Sequence, residues 1–195
     1  MIGVVDYEAG NISSIVNALK AVGATYCTSS NAEELSTCRG IILPGVGAAP
    51  GAMESLRRHG LVDFLKSFDR PFLGICLGMQ VLFEYSEEGE IPCLGIIPGK
   101  VMKLGSSAEK IPHMGWNAVE QRQACPLMKG IADGTYFYFA HSYSAPVSAS
   151  TTGVTRCGGE FSAIVNRGNY SGVQFHPEKS GRDGLQVLKN FSSLC

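Results

Sequence analysis

Residues 72–80 of the chain read Phe-Leu-Gly-Ile-Cys-Leu-Gly-Met-Gln, an apolar run that leads into a cysteine with a glycine two residues to either side. The run predicts a buried strand over 72–75, followed by a helix from Leu77 to about Tyr85. A cysteine at such a junction sits on a sharp, strained turn, where a Cβ on either flank would collide with the neighbouring backbone. We therefore predict that Cys76 projects over the strand end as a nucleophile, with the thiolate favoured by the helix N-terminus. The alternative is a buried, unreactive thiol, which we expect for the other six cysteines.

The segments around this junction predict the fold class. Fully apolar strands alternate with amphipathic helices in the first half, which is typical of a parallel sheet covered on both faces. Shorter alternating segments follow from about residue 96 and predict an antiparallel extension. We predict an α/β fold, a three-layer α/β/α sandwich with a mostly parallel central sheet, in one domain over residues 1–195. The predicted strands lie at 2–5, 25–27, 40–43, 72–75, 101–104, 116–119, 136–139, 154–157, 163–166 and 172–175, and the other helices at 12–22, 50–59, 61–68 and 183–191.

Composition excludes several classes of protein. The chain has 195 residues, of which 45% are apolar and 17% charged, as in a folded globular domain. Its net charge of -1 argues against binding to nucleic acid or to an anionic membrane. No apolar run approaches the ~18 residues of a membrane span, and we expect no export signal. Seven scattered cysteines without a C-x-x-C pair argue against a disulfide framework or zinc site and favour a reducing cytoplasm.

A catalytic thiol usually needs a base, because few thiols are ionised at neutral pH. Near the end of the chain a predicted strand runs into His176-Pro177-Glu178. Residues two apart in an extended segment project to the same side, so Glu178 can orient the His176 imidazole toward the thiol. Both motifs follow predicted strands, at the edge where open α/β sheets bind ligands. Alone, this triplet would be an ordinary strand exit, but together with Cys76 it predicts a catalytic pair.

The three other histidines are weaker candidates. His59 and His113 are predicted to be solvated or structural, the first at a polar helix end and the second in a loop rich in glycine and proline. His141 follows an aromatic strand, where it either lines the site or satisfies a polar strand end.

Pro44-Gly45-Val46-Gly47 follows another predicted strand and emerges at the same edge of the sheet. A glycine-rich backbone there can direct an N–H group at a developing oxyanion, and the amide of Leu77 is the natural second donor. The alternative is a plain turn. Since no phosphate loop, dinucleotide fingerprint or metal-ligand cluster is present in the sequence, we expect neither a cofactor nor a metal.

Residues 74–80 together with Gln-Phe-His-Pro-Glu at 174–178 resemble the class I (triad) glutamine amidotransferase family. Further stretches are similar to one branch of that family, the glutaminase subunits of imidazole glycerol phosphate synthases. These stretches are Asp6-Tyr7 with Gly10-Asn11, residues 44–47, Pro-His-Met-Gly-Trp-Asn at 112–117, His-Ser-Tyr at 141–143 and Lys179-Ser180.

The resemblance implies that Cys76 attacks the carboxamide of L-glutamine, that His176 transfers protons and that Glu178 orients His176. A glutamyl thioester is then hydrolysed and ammonia is released. It further implies an oxyanion hole, contacts to the α-groups of glutamine and a residue facing a partner. Gly47 and Leu77 would form the oxyanion hole, and Lys179 would face the partner. The contacts to the α-groups would come from Gln80, Glu88, Ser142 and Tyr143. Glu88 can equally be a surface acid, and Lys179 a solvated lysine.

The implied partner is a separate cyclase subunit with a (β/α)8 barrel. As a heterodimer with it, the branch makes imidazole glycerol phosphate and aminoimidazole carboxamide ribonucleotide for histidine biosynthesis. Two alternatives stay open: a triad glutaminase for another pathway, such as pyridoxal phosphate synthesis, and a non-catalytic, flavodoxin-like binding module. A glutamine-analogue alkylator distinguishes the last, because it would not label Cys76 in a binding module.

Overall fold

The computed structural model of the chain describes residues 1–8, 11–105 and 110–195, so Gly10 lies outside the described residues. The strands are β1 (Ile2–Val5), β2 (Tyr26–Ser29), β3 (Gly40–Leu43), β4 (Phe72–Ile75), β5 (Phe83–Ser86), β6 (Ile91–Pro92), β7 (Ile97–Lys103), β8 (His113–Gln121), β9 (Thr135–His141), β10 (Tyr143–Ser144), β11 (Thr151–Arg156), β12 (Glu160–Arg167) and β13 (Tyr170–Val173). The helices are α1 (Ile12–Ala21), α2 (Ala32–Ser36), α3 (Ala49–Arg58), α4 (Leu61–Ser67), α5 (Leu77–Gln80) and α6 (Gly181–Leu194), with 3-10 turns at Pro126–Met128 and Pro177–Lys179.

The main sheet has the strand order β2-β1-β3-β4-β13-β12-β11-β8-β9. The strands from β2 to β13 in this order pair in parallel, whereas those from β13 to β9 pair antiparallel. The α/β class predicted from the sequence is thus confirmed, including the antiparallel extension. β4 and β13 are direct neighbours, with Gly74 opposite Gly172 and Ile75 opposite Val173. This pairing brings the two predicted catalytic motifs to the same edge of the sheet.

The core lies on both faces of this sheet. In β3, Ile42 packs into the apolar layer that holds Leu19 of α1, whereas Ile41 and Leu43 pack into the layer that holds Leu65 of α4. All three strand residues are fully buried, because successive side chains of a strand point to opposite faces and helices cover each face. This explains why the parallel strands have continuous apolar runs. Among the described residues, each helix is too short or too polar to cross a lipid bilayer.

The prediction of one helix from Leu77 to about Tyr85 is wrong. The helix α5 ends at Gln80, and the chain continues as β5, which pairs in parallel with β7 in a second sheet of order β10-β7-β5-β6. Every residue from Leu77 to Phe83 is buried. A segment that is covered on all sides has no polar face, so its apolar residues do not distinguish a helix from a strand.

Candidate active site

Cys76 occupies the junction between β4 and α5 in a conformation that few non-glycine residues adopt. Its φ is 54° and its ψ is -111°, and its N–H donates to the carbonyl of Val173 on β13 at 2.8 Å. A Cβ built on Gly74 would lie 2.6 Å from the carbonyl oxygen of Gly78, and one on Gly78 would lie 1.9 Å from that of Leu43. Glycine is therefore required at positions 74 and 78, where backbone segments lie in contact. The surrounding structure holds Cys76 in its strained backbone conformation.

His176 and Glu178 lie directly beyond β13, one strand away from Cys76. The Nδ1 of His176 is 2.8 Å from the Oε1 of Glu178, and both side chains are buried. Burial by itself would lower the pKa of His176. Hydrogen bonds to Cys76 and Glu178, together with the negative charges of both groups, outweigh burial and raise that pKa to about 10. The arrangement favours an imidazolium beside the sulfur.

We expect the His176 ring to stay protonated from pH 6 to pH 8 and to lose its proton only toward pH 10. The free-energy contribution of this pairing to folding is complete below the unfolded-state pKa of about 6.5 and is lost as the pH rises through about 10. Nitrogen-15 NMR of histidine-labelled protein measures the titration directly. Glu178→Gln removes one of the two negative partners and should move it to lower pH, whereas Glu160→Gln, in a surface ion pair, should leave it unchanged. A wild-type midpoint near 6.5 would contradict this assignment.

A cavity of about 310 Å³ opens above the sulfur, a size that suits a small ligand. Except for Glu178, which lies on the other side of the His176 ring, each site residue predicted from the sequence lines it. These residues are Gly47, Cys76, Leu77, Gln80, Glu88, Ser142, Tyr143, His176 and Lys179. The fold thus brings together residues from five separate stretches of the chain.

The segment 44–47 packs against the turn that carries Cys76. The Tyr7 hydroxyl, which is fully buried, donates to the Pro44 carbonyl at 2.8 Å, and a Cβ on Gly45 would lie 2.6 Å from the Gly78 nitrogen. Gly47 has a φ of +93° and open space where a Cβ would stand. Leu77 is the first residue of α5, a position whose N–H has no partner inside a helix. Both predicted oxyanion donors therefore belong to the cavity wall.

The same segment also lies next to the buried carboxylate of Glu178. Pro44, Val46, His176 and Glu178 line a second cavity of only about 10 Å³. The Oε2 of Glu178 is buried and has no hydrogen-bond partner among the described residues. The segment that carries one predicted oxyanion donor is therefore a direct neighbour of the carboxylate that holds the His176 ring.

Two of the predicted substrate contacts also hold the protein itself together. The Nε2 of Gln80 donates to the Tyr143 carbonyl at 2.7 Å and to the Oε1 of Gln174 at 3.0 Å, which uses both of its hydrogens. The Oε2 of Glu88 accepts from the N–H of Ala49 at 2.8 Å and so satisfies the first turn of α3. Toward a ligand, Gln80 can offer only its carbonyl oxygen and Glu88 only carboxylate oxygens. Such acceptors suit an ammonium group.

Sequence reasoning missed Gln174, which contacts Cys76, and placed His113 in the wrong element. Gln174 is fully buried, and its Nε2 donates to the Cys76 sulfur at 3.6 Å. The spacing of two between Gln174 and His176 could have revealed it. His113 was predicted in a loop, but it is the first residue of β8 and stacks on Phe139. His141 is buried and lines the cavity, which was one of its two predicted positions. Of the two roles predicted for His59, solvated or structural, the contact of its Nδ1 with the Ser55 carbonyl at 2.9 Å favours the structural one.

Comparison with known proteins identifies the class that this fold and site define. The family model for class I glutamine amidotransferases matches residues 3–194, and the chain belongs to that family. Among its relatives, the imidazole glycerol phosphate synthase subunit HisH of Methanocaldococcus jannaschii is 49% identical over 197 residues, with complete coverage of both chains. The HisH subunit of Bacillus cereus is 47% identical over 199 residues, covering all of this chain and 95% of its own. HisH 2 of Legionella pneumophila is 44% identical, with 100% and 98% covered.

Solved structures with lower identity share the fold. A crystal structure of a glutamine amidotransferase superposes with a TM-score of 0.77 at 18% identity, covering 99% of this chain and 97% of the other. PurLQS from Thermotoga maritima gives a TM-score of 0.73 at 22% identity, with 97% and 96% covered. The architecture is therefore shared with solved structures whose sequences are only 18% and 22% identical to this one.

Proposed function

We propose that the chain is the glutaminase subunit of an imidazole glycerol phosphate synthase, in which it hydrolyses L-glutamine to glutamate and ammonia. The observation that carries this proposal is the meeting of Cys76 and His176 at one cavity, with His176 held from behind by a 2.8 Å hydrogen bond to Glu178. Full-length identity of 44–49% to HisH subunits supports the choice among amidotransferases.

The geometry suits a thioester mechanism. The Cys76 thiolate attacks the carboxamide carbon of glutamine, and the oxyanion that forms accepts hydrogen bonds from the Gly47 and Leu77 amides. The His176 imidazolium gives its proton to the leaving nitrogen, so the C–N bond breaks and ammonia departs. Neutral His176 then takes a proton from water, whose hydroxyl attacks the thioester. The C–S bond breaks, glutamate leaves, and the thiolate and imidazolium are restored.

The cavity also has groups for the α-end of the substrate. The acceptors on Gln80 and Glu88 suit the α-ammonium of glutamine, and Ser142 and Tyr143 line the same wall. Because Cys76 is a free thiol and reacts as a thiolate, we place the protein in a reducing compartment, the cytoplasm.

An apolar surface at the cavity mouth supports docking of a cyclase subunit there. Met114, Trp116 and Tyr136 are 65%, 56% and 61% exposed on the paired strands β8 and β9, and Met114 also lines the cavity. Large exposed apolar groups that lie together mark interaction sites. We propose that this surface and Lys179 contact the (β/α)8 cyclase in a heterodimer. Handover in an enclosed space keeps ammonia from becoming ammonium, which is not nucleophilic.

Trp116→Ala is expected to weaken binding of the cyclase subunit by ~30-fold, because a central aromatic anchor typically contributes about 2 kcal/mol to an interface. Titration calorimetry with the purified cyclase measures this effect. Leu194→Ala provides a matched control, since Leu194 is 45% exposed in α6, outside the proposed surface. Equal affinities for the wild type and Trp116→Ala would exclude this face as the interface.

Reconstitution tests the function as a whole. The chain is mixed with the cyclase subunit encoded in the same genome, and glutamate release and glutamine-dependent formation of imidazole glycerol phosphate are measured. We expect slow glutaminase turnover by the chain alone and a rise of at least tenfold on addition of the cyclase. Activation by a pyridoxal phosphate synthase subunit instead would identify a glutaminase of another pathway. An unlabelled Cys76 after treatment with a glutamine-analogue alkylator would indicate a binding module.

A further inference from the structure

A chain of hydrogen bonds leads away from the catalytic sulfur. Gln174 donates to Cys76 Sγ at 3.6 Å, and the Oε1 of Gln174 accepts from the Nε2 of Gln80 at 3.0 Å. The second hydrogen on Gln80 Nε2 goes to the Tyr143 carbonyl at 2.7 Å. That carbonyl also lies 2.8 Å from the Nδ1 of His141. The nucleophile is thus joined through two buried amides and one carbonyl to a histidine that takes no part in the thioester mechanism.

The series of hydrogen bonds continues to strand β8 and ends at Asn117, whose amide is held in one orientation. The Nε2 of His141 is 3.0 Å from the Nδ1 of His113, whose Nε2 is 3.3 Å from the Nδ2 of Asn117. Asn117 cannot turn its amide over, because its Nδ2 donates to the Arg156 carbonyl at 2.9 Å and its Oδ1 accepts from the Ala118 N–H at 2.9 Å. The far end of the hydrogen-bonded series is therefore a donor only, the Nδ2 of Asn117.

These partners determine the proton positions on both imidazoles. The Tyr143 carbonyl can only accept, so His141 carries a proton on Nδ1. Asn117 can only donate to His113, so the Nε2 of His113 is an acceptor and its proton is on Nδ1. His113 therefore donates from Nδ1 to the Nε2 of His141, which is an acceptor. Each group in the series has one compatible orientation, and both rings are neutral. Burial acts in the same sense, lowering the pKa of His113 and bringing that of His141 down to about 3.

We propose that His113 and His141 are positioning residues for the nucleophile: they fix the Tyr143 carbonyl and the two glutamine amides so that Gln174 presents an N–H to the Cys76 sulfur. The proposal rests on the proposed function in taking Cys76 as the nucleophile. A donor at sulfur stabilises the thiolate, whereas an inverted Gln174 amide would point its carbonyl oxygen at that negative charge. The series also keeps His141 neutral at the cavity wall, so His176 is the histidine that supplies protons there.

Two variants of His113 separate positioning from simple packing. Asparagine places an amide N–H close to where Nδ1 stands and can still donate to His141. Glutamine reaches toward the position of Nε2 and cannot. The rate of Cys76 alkylation by iodoacetamide at pH 7, followed by mass spectrometry of the Cys76 peptide in the full chain, reads out the thiolate without glutamine. We expect His113→Gln to lower this rate about fivefold, as loss of one oriented hydrogen bond would, and His113→Asn to keep it within about twofold.

Equal rates for the two variants, whether both lowered or both unchanged, would overturn the proposal. Nitrogen-15 NMR of the wild-type protein tests it without any substitution, since His113 and His141 should both be neutral with the proton on Nδ1. A proton on Nε2 of either ring would also overturn it. Neither measurement involves glutamine hydrolysis. A chain that gives the expected rates and tautomers but no glutamate would refute the proposed function alone.

Discussion

Replacement of Cys76 by alanine is expected to lower glutamine-dependent synthesis by the reconstituted complex at least ~10³-fold, because removal of a nucleophile abolishes the covalent route. The same complex should keep its activity when ammonium salts replace glutamine, since the cyclase then receives ammonia from solution. Formation of imidazole glycerol phosphate with each nitrogen source, at equal protein concentration, gives the ratio. Cys76 is 6% exposed and small, so its replacement by alanine should leave the fold intact.

Cys195→Ala is the matched control for this experiment. Cys195 is also a free thiol, but it lies at the end of α6, where its Sγ donates to the Phe191 carbonyl at 3.4 Å. We expect this variant to retain wild-type activity with both nitrogen sources. Glutamine-dependent turnover by Cys76→Ala would remove Cys76 from the mechanism. Loss of the ammonium-dependent activity as well would mean that the substitution disrupts the complex instead of the chemistry.

Gly78→Ala is expected to have the largest effect on stability. The added Cβ would lie 1.9 Å from the carbonyl oxygen of Leu43 and 2.8 Å from its carbonyl carbon, both of which belong to a central strand and cannot rotate away. The turn would have to separate from β3, at a cost of about 3 kcal/mol or more in the free energy of unfolding. Urea denaturation followed by circular dichroism measures this change, and failure to obtain folded protein would be its extreme form.

Gly51→Ala also adds a Cβ, but at a position where the space for it is open. Gly51 lies on the exposed side of α3, with no atom within 4 Å of an added Cβ. Alanine loses less backbone entropy than glycine on entering a helix, so this variant should be more stable than the wild type by ~0.5–1 kcal/mol. If both variants changed stability by similar amounts, close backbone contact would not be the reason for a glycine at position 78.

The sequence is most informative about this protein where one physical requirement has few solutions. A cysteine between two glycines at the end of an apolar strand has a steric explanation, and the structure shows the backbone contacts that supply it. The spacing of two between His176 and Glu178 likewise predicts the contact found at 2.8 Å. The alternation of buried strands and helices predicts the parallel half of the sheet for the same reason, since only a sheet covered on both faces needs such runs.

Sequence patterns are less informative where tertiary contacts decide the outcome. Phe83–Ser86 forms a strand because β7, which follows it in the chain, lies beside it, and the segment before it has no polar face to reveal the end of α5. The spacing of Gln174 from His176 places both on one side of the chain, but only the fold shows that Gln174 contacts Cys76. The hydrogen bond from His113 to His141 likewise depends on the register between β8 and β9, which pairs these two residues.

The adjacency of β4 and β13 has a consequence for biosynthesis. Cys76 and His176, the proposed nucleophile and base, are neighbours in space, yet they are a hundred positions apart in the chain. When synthesis has reached β12, the Cys76 thiol is present but the His176 imidazole is not. At that stage one edge of β4 is still unpaired. Addition of the last parallel strand, β13, pairs that edge and brings the residues that complete the proposed triad. The proposed activity thus arises late in synthesis, and translation products truncated before this strand would contain Cys76 but not His176.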